Sequence, residues 1–294
     1  MTSLTESDFE HVRQIRRNDP AQIRRAWAER SRRAAEGSGR LMLVAADHPA
    51  RGSLSVAGER HAMADRYRLL ENLAIALSVE GVDGVLGSPD ILDDLLLLGL
   101  LEDKVVVGSA NRGGLEDSVF EFDDRVTGHT PADAIRDGLD FLKVLLRVGL
   151  EDHGTARTLE RTARTVSECS AADLSVMIEP FLSRRVSGRV VHDLSAEGIV
   201  RAVAIAAALG SSSAYTWLKL PVIDEMEPIM ESTTLPTLLL GGDRSKTLAE
   251  LTRQWASALR LPGVYGLVAG RSLLYPEGGD VRAAVSRASA LVHG

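Results

Sequence analysis

Lysine is scarce in this sequence. Of its 34 Lys and Arg residues only four are lysines, and every other basic residue is an arginine. The four lysines are Lys104, Lys143, Lys219 and Lys246. A lysine amine can lose its proton when it is buried and then act as a nucleophile, whereas an arginine guanidinium stays charged. The positions that keep lysine are therefore the first candidates for chemistry.

Cysteine, basic patches and long apolar runs are also missing or rare. The single cysteine, Cys169, excludes a disulfide framework and a multi-cysteine metal site, and it is predicted to be an inert helix residue. The net charge of −7 argues against a nucleic-acid partner, and the sequence contains no basic stripe with interleaved aromatic residues. The first residues lack an apolar signal core, and no apolar run reaches membrane-spanning length. We therefore expect a cytoplasmic protein with no membrane partner.

The pattern of the chain predicts an N-terminal helical extension, residues 1–38, before a larger domain, residues 39–294. Residues 5–36 are polar and arginine-rich with helical spacing, and the glycines at 37 and 39 interrupt this pattern. After them, short apolar runs alternate with helical patterns. The predicted strands are 41–47, 81–87, 104–110, 141–148, 174–180, 214–222, 236–242 and 265–270. The predicted helices between and after them are 61–80, 89–103, 131–139, 155–173, 196–210, 246–260 and 280–292.

This alternation predicts an α/β fold, a (β/α)8 TIM barrel. The strands are continuously apolar, as expected for a parallel sheet that is covered on both faces. Their number and the size of about 250 residues fit a barrel, in which active sites lie at the carboxyl ends of the strands. A doubly wound sheet is the rival, but no G-x-G-x-x-G follows the first strand.

Charged residues stand at or near the ends of several predicted strands. They are Asp47 and His48 on the first, Lys143 and Arg147 on the fourth, Glu179 on the fifth, and Lys219 on the sixth. Burial and a second nearby cation lower the pKa of an amine, so a lysine here could attack a carbonyl and form a Schiff base. Pairing of both lysines with structural carboxylates is the alternative. Asp47 could instead cap the next helix, and His48 could transfer protons or only hydrogen-bond a loop.

Two further groups of residues suggest anion binding. Gly241 and Gly242 follow the seventh strand, and Gly270 and Arg271 follow the eighth, where barrels of this kind bind phosphate on backbone N–H groups. A long irregular segment, 111–131, follows the third strand, and such loops usually cover an active site. Arg112 in this loop and Arg147 are candidates for a second anionic group. The alternative is that Arg112 pairs with Asp123 or Asp124.

These motifs, over residues 41–275, resemble the class I, Schiff-base aldolases of the DhnA and tagatose-bisphosphate aldolase group. The motifs are "AADHP", "FLKVLLRV", "MIEP", "WLKLPV", and the Gly-Gly and Gly-Arg turns. "TWLKLP" and "VAGRSLL" are also similar to the aldolase domain of bacterial inositol catabolism. The first strand ends in Asp-His-Pro-Ala-Arg rather than the group's Asp-His-Gly or Asp-Gln-Arg-Gly, so the substrate stays open.

The resemblance implies a mechanism and site roles. Lys219 would form the Schiff base, with Lys143, Glu179 and Asp47 assisting proton transfer, and the glycine turns would bind phosphate. The expected substrate is a phosphorylated ketose or keto-sugar acid, with 2-deoxy-5-keto-gluconate 6-phosphate, cleaved to dihydroxyacetone phosphate and malonate semialdehyde, as the first candidate. No metal or cofactor is implied, and a homo-oligomer is expected. A fructose- or tagatose-bisphosphate-type aldolase, a lyase or isomerase that only polarises a carbonyl, and a non-catalytic sugar-phosphate sensor are the alternatives.

Overall fold

The computed structural model describes residues 4–33, 39–112, 114–241 and 246–294. Its strands are β1 (Leu41–Ala45), β2 (Gly84–Gly87), β3 (Val105–Ser109), β4 (Phe141–Val148), β5 (Ser175–Val186), β6 (Arg189–His192), β7 (Thr216–Leu220), β8 (Thr237–Leu240) and β9 (Val264–Ala269). All of them except β6 pair in parallel, and β4 pairs with β5 to close the ring. The fold is therefore the predicted (β/α)8 TIM barrel, and the doubly wound rival is wrong.

The helices form the outer layer. They are α1 (Glu6–Asn18), α2 (Ala21–Glu29), α3 (Arg66–Leu77), α4 (Pro89–Leu97), α5 (Pro131–Asp137), α6 (Gly154–Ala171), α7 (Ala196–Ala207), α8 (Glu227–Glu231), α9 (Leu248–Ala258), α10 (Arg271–Leu274) and α11 (Val281–His293). A short 3₁₀ helix, His48–Arg51, follows β1. Cys169 is buried on α6, where burial raises the pKa of its thiol to about 12, so it is inert as predicted. No helix in the described ranges is long and apolar enough to cross a membrane.

The N-terminal segment consists of two helices instead of one continuous pattern. Pro20 separates them, because a proline inside a helix removes a hydrogen bond and clashes with the preceding turn. α2 packs against the outside of the barrel at α4 and α5, where the buried Trp27 donates to Asp93 at 2.9 Å. Residues 34–38 lie outside the described residues, so the domain boundary at residue 38 stays a prediction.

The inside of the barrel is filled by an apolar cluster, which we call the interior layer. It consists of Leu43, Ala45, Leu86, Val105, Val107, Phe141, Met177, Leu238 and Val268. Trp217 packs against it, and its ring meets the ring of Phe141 edge-on with centroids 5.5 Å apart. Trp217 therefore helps to fill the barrel interior. A packed interior leaves only the carboxyl ends of the strands open for a site.

Two observed element boundaries differ from the predicted ones, and each difference has a local cause in the sequence. The helix predicted from residue 61 begins at Arg66, because the Asp65 side chain accepts from the Arg68 N–H and caps it there. The fifth strand does not end at residue 180 but continues to Val186 and turns back into β6. Ser187 and Gly188, both with positive φ, form the two-residue turn of this hairpin.

Candidate active site

Four charged side chains lie one layer above the apolar interior of the barrel. On each of four strands, a charged residue follows an inward-facing apolar residue by two positions. Residues two apart on a strand face the same side, so the charged side chains point into the barrel mouth. We call these four residues the charged quartet. The pairs are Ala45 and Asp47, Phe141 and Lys143, Met177 and Glu179, and Trp217 and Lys219.

The charged quartet forms a continuous chain of ion pairs. Lys143 Nζ lies 3.0 Å from Asp47 Oδ2 and 2.6 Å from Glu179 Oε2. Glu179 Oε1 lies 3.2 Å from Lys219 Nζ, so this carboxylate bridges the two amines. Lys143 is 1% exposed and Lys219 is 5% exposed. The structure thus brings together all four residues that the sequence places on different strands.

The two lysines differ in their electrostatic surroundings. Burial lowers the pKa of Lys143, but Asp47 and Glu179 on either side outweigh it, so this pKa is raised. Burial also lowers the pKa of Lys219, Glu179 opposes this, and the nearby Lys143 ammonium lowers it further. The pKa of Lys219 therefore falls below its ordinary value. Lys219 is the amine of the two that loses its proton more readily.

The two carboxylates stay ionised. Burial raises the pKa of Glu179, but Lys143 and Lys219 oppose this and bring it down to about 2. Burial raises the pKa of Asp47 as well, but Lys143 and the other basic groups nearby together outweigh it, so this pKa falls well below its ordinary value. At neutral pH both are proton acceptors, and each is already bound to an ammonium group. Glu179 is the nearest carboxylate to which Lys219 can pass a proton.

The residues after β1 do not cap the following helix through their side chains. Asp47 occupies the N-cap position of the 3₁₀ helix without a side-chain cap bond, and its Oδ2 accepts from Lys143 instead. His48 Nδ1 lies 3.8 Å from Asp47 Oδ1 and is buried without a hydrogen-bond partner among the described residues. Burial, and next the guanidinium of Arg271, lower the pKa of His48 well below its ordinary value. His48 is therefore a neutral imidazole beside Asp47.

The predicted phosphate turns follow β8 and β9. A Cβ on Gly270 would lie 2.5 Å from the Ala45 carbonyl oxygen and 2.9 Å from His48 Cε1, so only glycine fits there. Arg271, which begins α10, donates to Ser53 Oγ at 3.3 Å. Gly241 follows β8 directly, whereas Gly242 lies outside the described residues. The turn after β9 therefore lies against the end of β1 and the residues that follow it.

The two arginines predicted to bind a second anion lie in different surroundings. Arg112 is exposed, and its Nε donates to Thr127 Oγ1 at 3.2 Å. Asp123, one of the two carboxylates named as its alternative partners, pairs with Arg125 at 3.1 Å instead. Arg147 is 7% exposed, and its Nη1 bonds Glu121 of the long loop. The structure thus places Arg147 in the mouth of the barrel and Arg112 at the surface.

The long loop after β3 covers part of the mouth, as predicted. The Glu116 N–H donates to the Arg51 carbonyl at 3.0 Å, and the Asp124 N–H donates to Thr158 Oγ1 at 2.8 Å. Phe122 is buried and lies against Gly149. The loop is therefore anchored at the 3₁₀ helix after β1 and again at the helix after β4.

Sequence reasoning missed three residues beside the site: Arg51, Glu121 and His192. Arg51 ends the 3₁₀ helix, Glu121 lies in a loop without periodicity, and His192 is on the unpredicted strand β6. The alternating pattern around Ser187-Gly188 is a hairpin signal that could have found β6. No group of three or more His, Cys, Asp or Glu side chains that could hold a metal ion occurs within the described ranges.

Comparison with known proteins identifies the family. The Cgl0159-like family model matches residues 39–289. The chain belongs to the Cgl0159-like family. The crystal structure of Cgl0159 from Corynebacterium glutamicum (Brevibacterium flavum) is 54% identical over 99% of this chain and 98% of that chain, with a TM-score of 0.96. None of the curated proteins compared with this Cgl0159-like chain matches it in sequence.

The Cgl0159-like chain also shares its fold with class I aldolases. A Schiff base-forming fructose-1,6-bisphosphate aldolase is 20% identical over 92% of this chain and 99% of that one, with a TM-score of 0.64. An archaeal fructose-1,6-bisphosphate aldolase, with its catalytic Lys covalently bound to the carbinolamine intermediate, is 19% identical over 92% and 100% of the chains, with a TM-score of 0.64. The chain thus has an aldolase-like TIM barrel.

Proposed function

We propose that this protein is a class I, metal-independent lysine Schiff-base aldolase that acts on a phosphorylated ketose or keto-sugar acid. The observation that carries the proposal is the charged quartet at the barrel mouth. Lys219 ends its chain of ion pairs, its pKa is lowered, and it contacts one carboxylate, Glu179. An amine of this kind can be neutral at the moment of attack.

In the first step, Lys219 adds to the substrate ketone. The ammonium passes a proton to Glu179, at 3.2 Å, or to water, and the free amine attacks the carbonyl carbon. The resulting carbinolamine loses its hydroxyl as water and becomes an iminium ion. Lys143, whose ammonium lies 2.6 Å from Glu179, assists this dehydration. It keeps a proton within the charged quartet, where the leaving hydroxyl needs one. The iminium keeps the positive charge opposite Glu179, so the ion-pair chain is preserved.

In the second step, a carbon–carbon bond breaks. Glu179, directly or through water, removes the proton from the hydroxyl two carbons from the imine carbon. The electron pair of that O–H bond forms the aldehyde carbonyl, and the pair of the broken carbon–carbon bond moves into the enamine. Protonation of the enamine carbon and hydrolysis then release dihydroxyacetone phosphate and free Lys219. Asp47 orients substrate hydroxyls or relays protons, beside the neutral His48.

The turns after β8 and β9 are the proposed phosphate site. The motif resemblance implies this role for Gly241, Gly242, Gly270 and Arg271. Arg271 contributes a guanidinium there, at the start of α10. The crowding around Gly270 brings the backbone close to the end of β1. Arg147 is proposed to bind the far end of the substrate.

The preferred substrate is 2-deoxy-5-keto-gluconate 6-phosphate, cleaved to dihydroxyacetone phosphate and malonate semialdehyde. Its support is the likeness of the "TWLKLP" and "VAGRSLL" segments to the inositol-catabolism aldolase domain. A bisphosphate ketose is the second candidate, and Arg147 as a second anion-binding group is compatible with it. Cytoplasmic residence and a homo-oligomeric state stay predictions.

Reductive trapping tests the proposal. The protein is incubated with dihydroxyacetone phosphate, fructose 1,6-bisphosphate or 2-deoxy-5-keto-gluconate 6-phosphate, reduced with borohydride, and digested for mass spectrometry. An irreversible adduct on Lys219 is the expected result, and cleavage assays then rank the substrates. Turnover without an adduct would indicate a barrel that only polarises the carbonyl. Binding with neither adduct nor turnover would indicate a sugar-phosphate sensor.

A further inference from the structure

A further layer of side chains lies directly above the charged quartet on β4 and β5. Phe181 follows Glu179 by two residues on β5 and pairs in register with Arg147 of β4. Residues two apart on a strand face the same side, so Phe181 points into the mouth about 6.6 Å above the level of Glu179. Leu182, the next residue, packs instead against the apolar core outside the strands. Phe181 is therefore the first side chain of β5 above Glu179.

The β5–β6 hairpin extends this layer with a second ring. Ser183 follows Phe181 by two residues and pairs across the hairpin with His192. Paired residues of antiparallel strands project on the same face, so His192 projects to the same side as Ser183 and Phe181. The His192 ring stacks on the Phe181 ring, with centroids 4.2 Å apart and planes inclined by 21°. We call these two rings the aromatic wall.

Ser183 holds the His192 ring in its stacked position. Its Oγ lies 2.8 Å from His192 Nδ1, and Ser183 itself is buried. Burial is the main cause that lowers the pKa of His192 to about 4. At neutral pH the imidazole is therefore uncharged, and it stacks on Phe181 without adding a charge to the mouth. The aromatic wall consists of two uncharged rings, both fixed by their neighbours.

The hairpin that carries His192 is anchored to two other segments. Arg185, two residues after Ser183, donates from Nη2 to the Val119 carbonyl of the loop after β3 at 2.9 Å. Its Nε lies 3.5 Å from Asp152 Oδ2, in the loop between β4 and α6. The same guanidinium lies over the buried ring of Phe122, 5.3 Å from its centroid. These contacts hold the hairpin, and with it the aromatic wall, as a fixed side of the mouth.

In the proposed mechanism, the aldehyde half of the substrate lies on this side of the mouth. Glu179 takes the proton from the hydroxyl on the carbon that becomes the aldehyde, so that carbon lies beside β5. The proposed phosphate turn after β9 lies on the far side of the ring, three strands from β5 and four from β4. Chain atoms beyond the aldehyde carbon therefore extend away from the phosphate and toward the aromatic wall.

We propose that His192 is a specificity-determining residue whose ring, stacked on Phe181, restricts the aldehyde half of the substrate to a short chain. The inference rests on the proposed aldolase function and adds the class of aldehyde. The spacing of about 6.6 Å between the levels of Glu179 and Phe181 includes the contact distances at both ends, so it leaves room for only a few carbon atoms. A longer chain would have to displace a fixed ring, which packed sites resist.

The test measures aldol addition, the reverse of cleavage, with dihydroxyacetone phosphate and two unbranched aldehydes. In this direction the enamine carbon on Lys219 attacks the aldehyde carbonyl, whose oxygen takes a proton from Glu179. Propanal is the short acceptor and hexanal the long one. We expect His192→Ala to raise the ratio of kcat/KM for hexanal to that for propanal about tenfold over the wild-type ratio. The space that the imidazole leaves would accommodate the additional methylene groups of hexanal.

Val191→Ala is the matched control. Val191 neighbours His192 on β6 but lies on the opposite face of the hairpin and is exposed, so this variant should keep the ratio within about twofold. His192→Phe keeps a ring in the stack and should also keep the preference for propanal. A ratio raised equally in His192→Phe and His192→Ala would mean that hydrogen bonding, and not the ring, sets the preference, which would overturn the inference.

Phe181→Leu provides a second variant should His192→Ala fail to fold. Leucine keeps a large apolar side chain in the mouth but removes the ring on which His192 stacks. We expect the hexanal-to-propanal ratio to rise in the same direction, by about threefold. An unchanged ratio in this variant would contradict the aromatic wall.

The Lys219 adduct with dihydroxyacetone phosphate separates the inference from the proposed function. If the adduct forms but His192→Ala has the wild-type ratio, the role of His192 is wrong and the aldolase function stands. If no ketose phosphate forms an adduct or is cleaved, the aldolase function is wrong and the inference falls with it. An equal rise of the ratio in Val191→Ala would also overturn the inference, as would addition of neither aldehyde by wild-type protein and His192→Ala despite the adduct.

Discussion

The interior layer and the charged quartet occupy the same strands of the barrel, one pleat apart, and differ in almost every property. The interior layer is apolar, tightly packed and closed to solvent. The charged quartet is equally buried but consists of two ammonium groups and two carboxylates that balance each other. A shift of two residues along β4 leads from Phe141 to Lys143, and along β5 from Met177 to Glu179.

This difference shows how a barrel separates stability from chemistry. Burying apolar side chains stabilises the fold, whereas burying ion pairs returns little net stability because desolvation opposes the attraction. The interior layer should therefore carry folding free energy, and the charged quartet should carry activity. Lys219→Met and Met177→Ala test that division, since each changes one layer and both activity and stability are measured.

Lys219→Met is expected to have the largest effect on activity. The variant lacks the amine that forms the Schiff base, so turnover should fall on the order of 10⁴-fold or more. Removing the amine leaves Glu179 bound to Lys143, so no carboxylate loses its last partner. The free energy of unfolding, measured by urea denaturation, should therefore change little. Turnover close to that of wild-type protein would exclude a covalent role for Lys219.

Met177→Ala should show the opposite behaviour. Met177 is fully buried in the interior layer, two residues before Glu179. Truncating a buried methionine costs about 2–5 kcal/mol, through lost burial and the cavity that remains. We expect this loss in the urea unfolding curve, while kcat/KM at a temperature well below the transition stays within about threefold, or less than 1 kcal/mol. Leu150→Ala is the control, because Leu150 is 58% exposed. Stability equal to that of the control would contradict the role of the layer.

The barrel and the charged quartet could be predicted from the sequence, because side chains alternate between the two faces of a strand. The eight apolar runs recovered every barrel strand, and the charged residues at their ends mark the mouth because parallel strands all point one way. Asp47, Lys143, Glu179 and Lys219 could therefore be assigned to one site before their distances were known. That Lys143 lies between both carboxylates depends on side-chain geometry, which periodicity does not encode.

The residues that the sequence did not reveal lie on irregular segments. Glu121 meets Arg147 only because the loop after β3 folds back over the mouth, and no spacing rule relates positions 121 and 147. Arg112, in the same loop, was a candidate for a second anion site from its charge alone. It lies at the surface, where its Nε donates to Thr127 Oγ1. His192 was hidden in a hairpin that extends β5 beyond the barrel.

The pH dependence of stability isolates Glu179. Its pKa is about 2 in the folded protein and near 4.5 when unfolded, so its contribution is complete above pH 4.5 and is lost as pH falls toward 2. Between these values wild-type protein should lose about 3 kcal/mol more than Glu179→Gln, measured by urea denaturation at each pH. The exposed variant Glu116→Gln should follow the wild-type curve. Parallel curves for Glu179→Gln and wild-type protein would mean that Glu179 has an ordinary pKa.

The smallest predicted effect concerns Lys143, the member of the charged quartet that acts on Lys219 through its charge. Imine formation requires the neutral Lys219 amine, so the trapping rate rises with pH through the pKa of Lys219. In wild-type protein, burial and Lys143 lower this pKa, while Glu179 opposes them. Lys143→Met removes the repelling ammonium and leaves Glu179 to Lys219 alone. The pKa must then rise, and the midpoint of the trapping profile should move to higher pH.

Lys104→Met is the matched control for that shift. Lys104 is partly buried, and its Nζ donates to the Val82 carbonyl at 2.7 Å, at the opposite end of the barrel from the mouth. The same loss of one ammonium there should leave the midpoint where it is in wild-type protein. A midpoint that stays unchanged or moves to lower pH in Lys143→Met would mean that Lys143 does not lower the pKa of Lys219. The scarcity of lysine would then have identified one functional amine in the barrel rather than two.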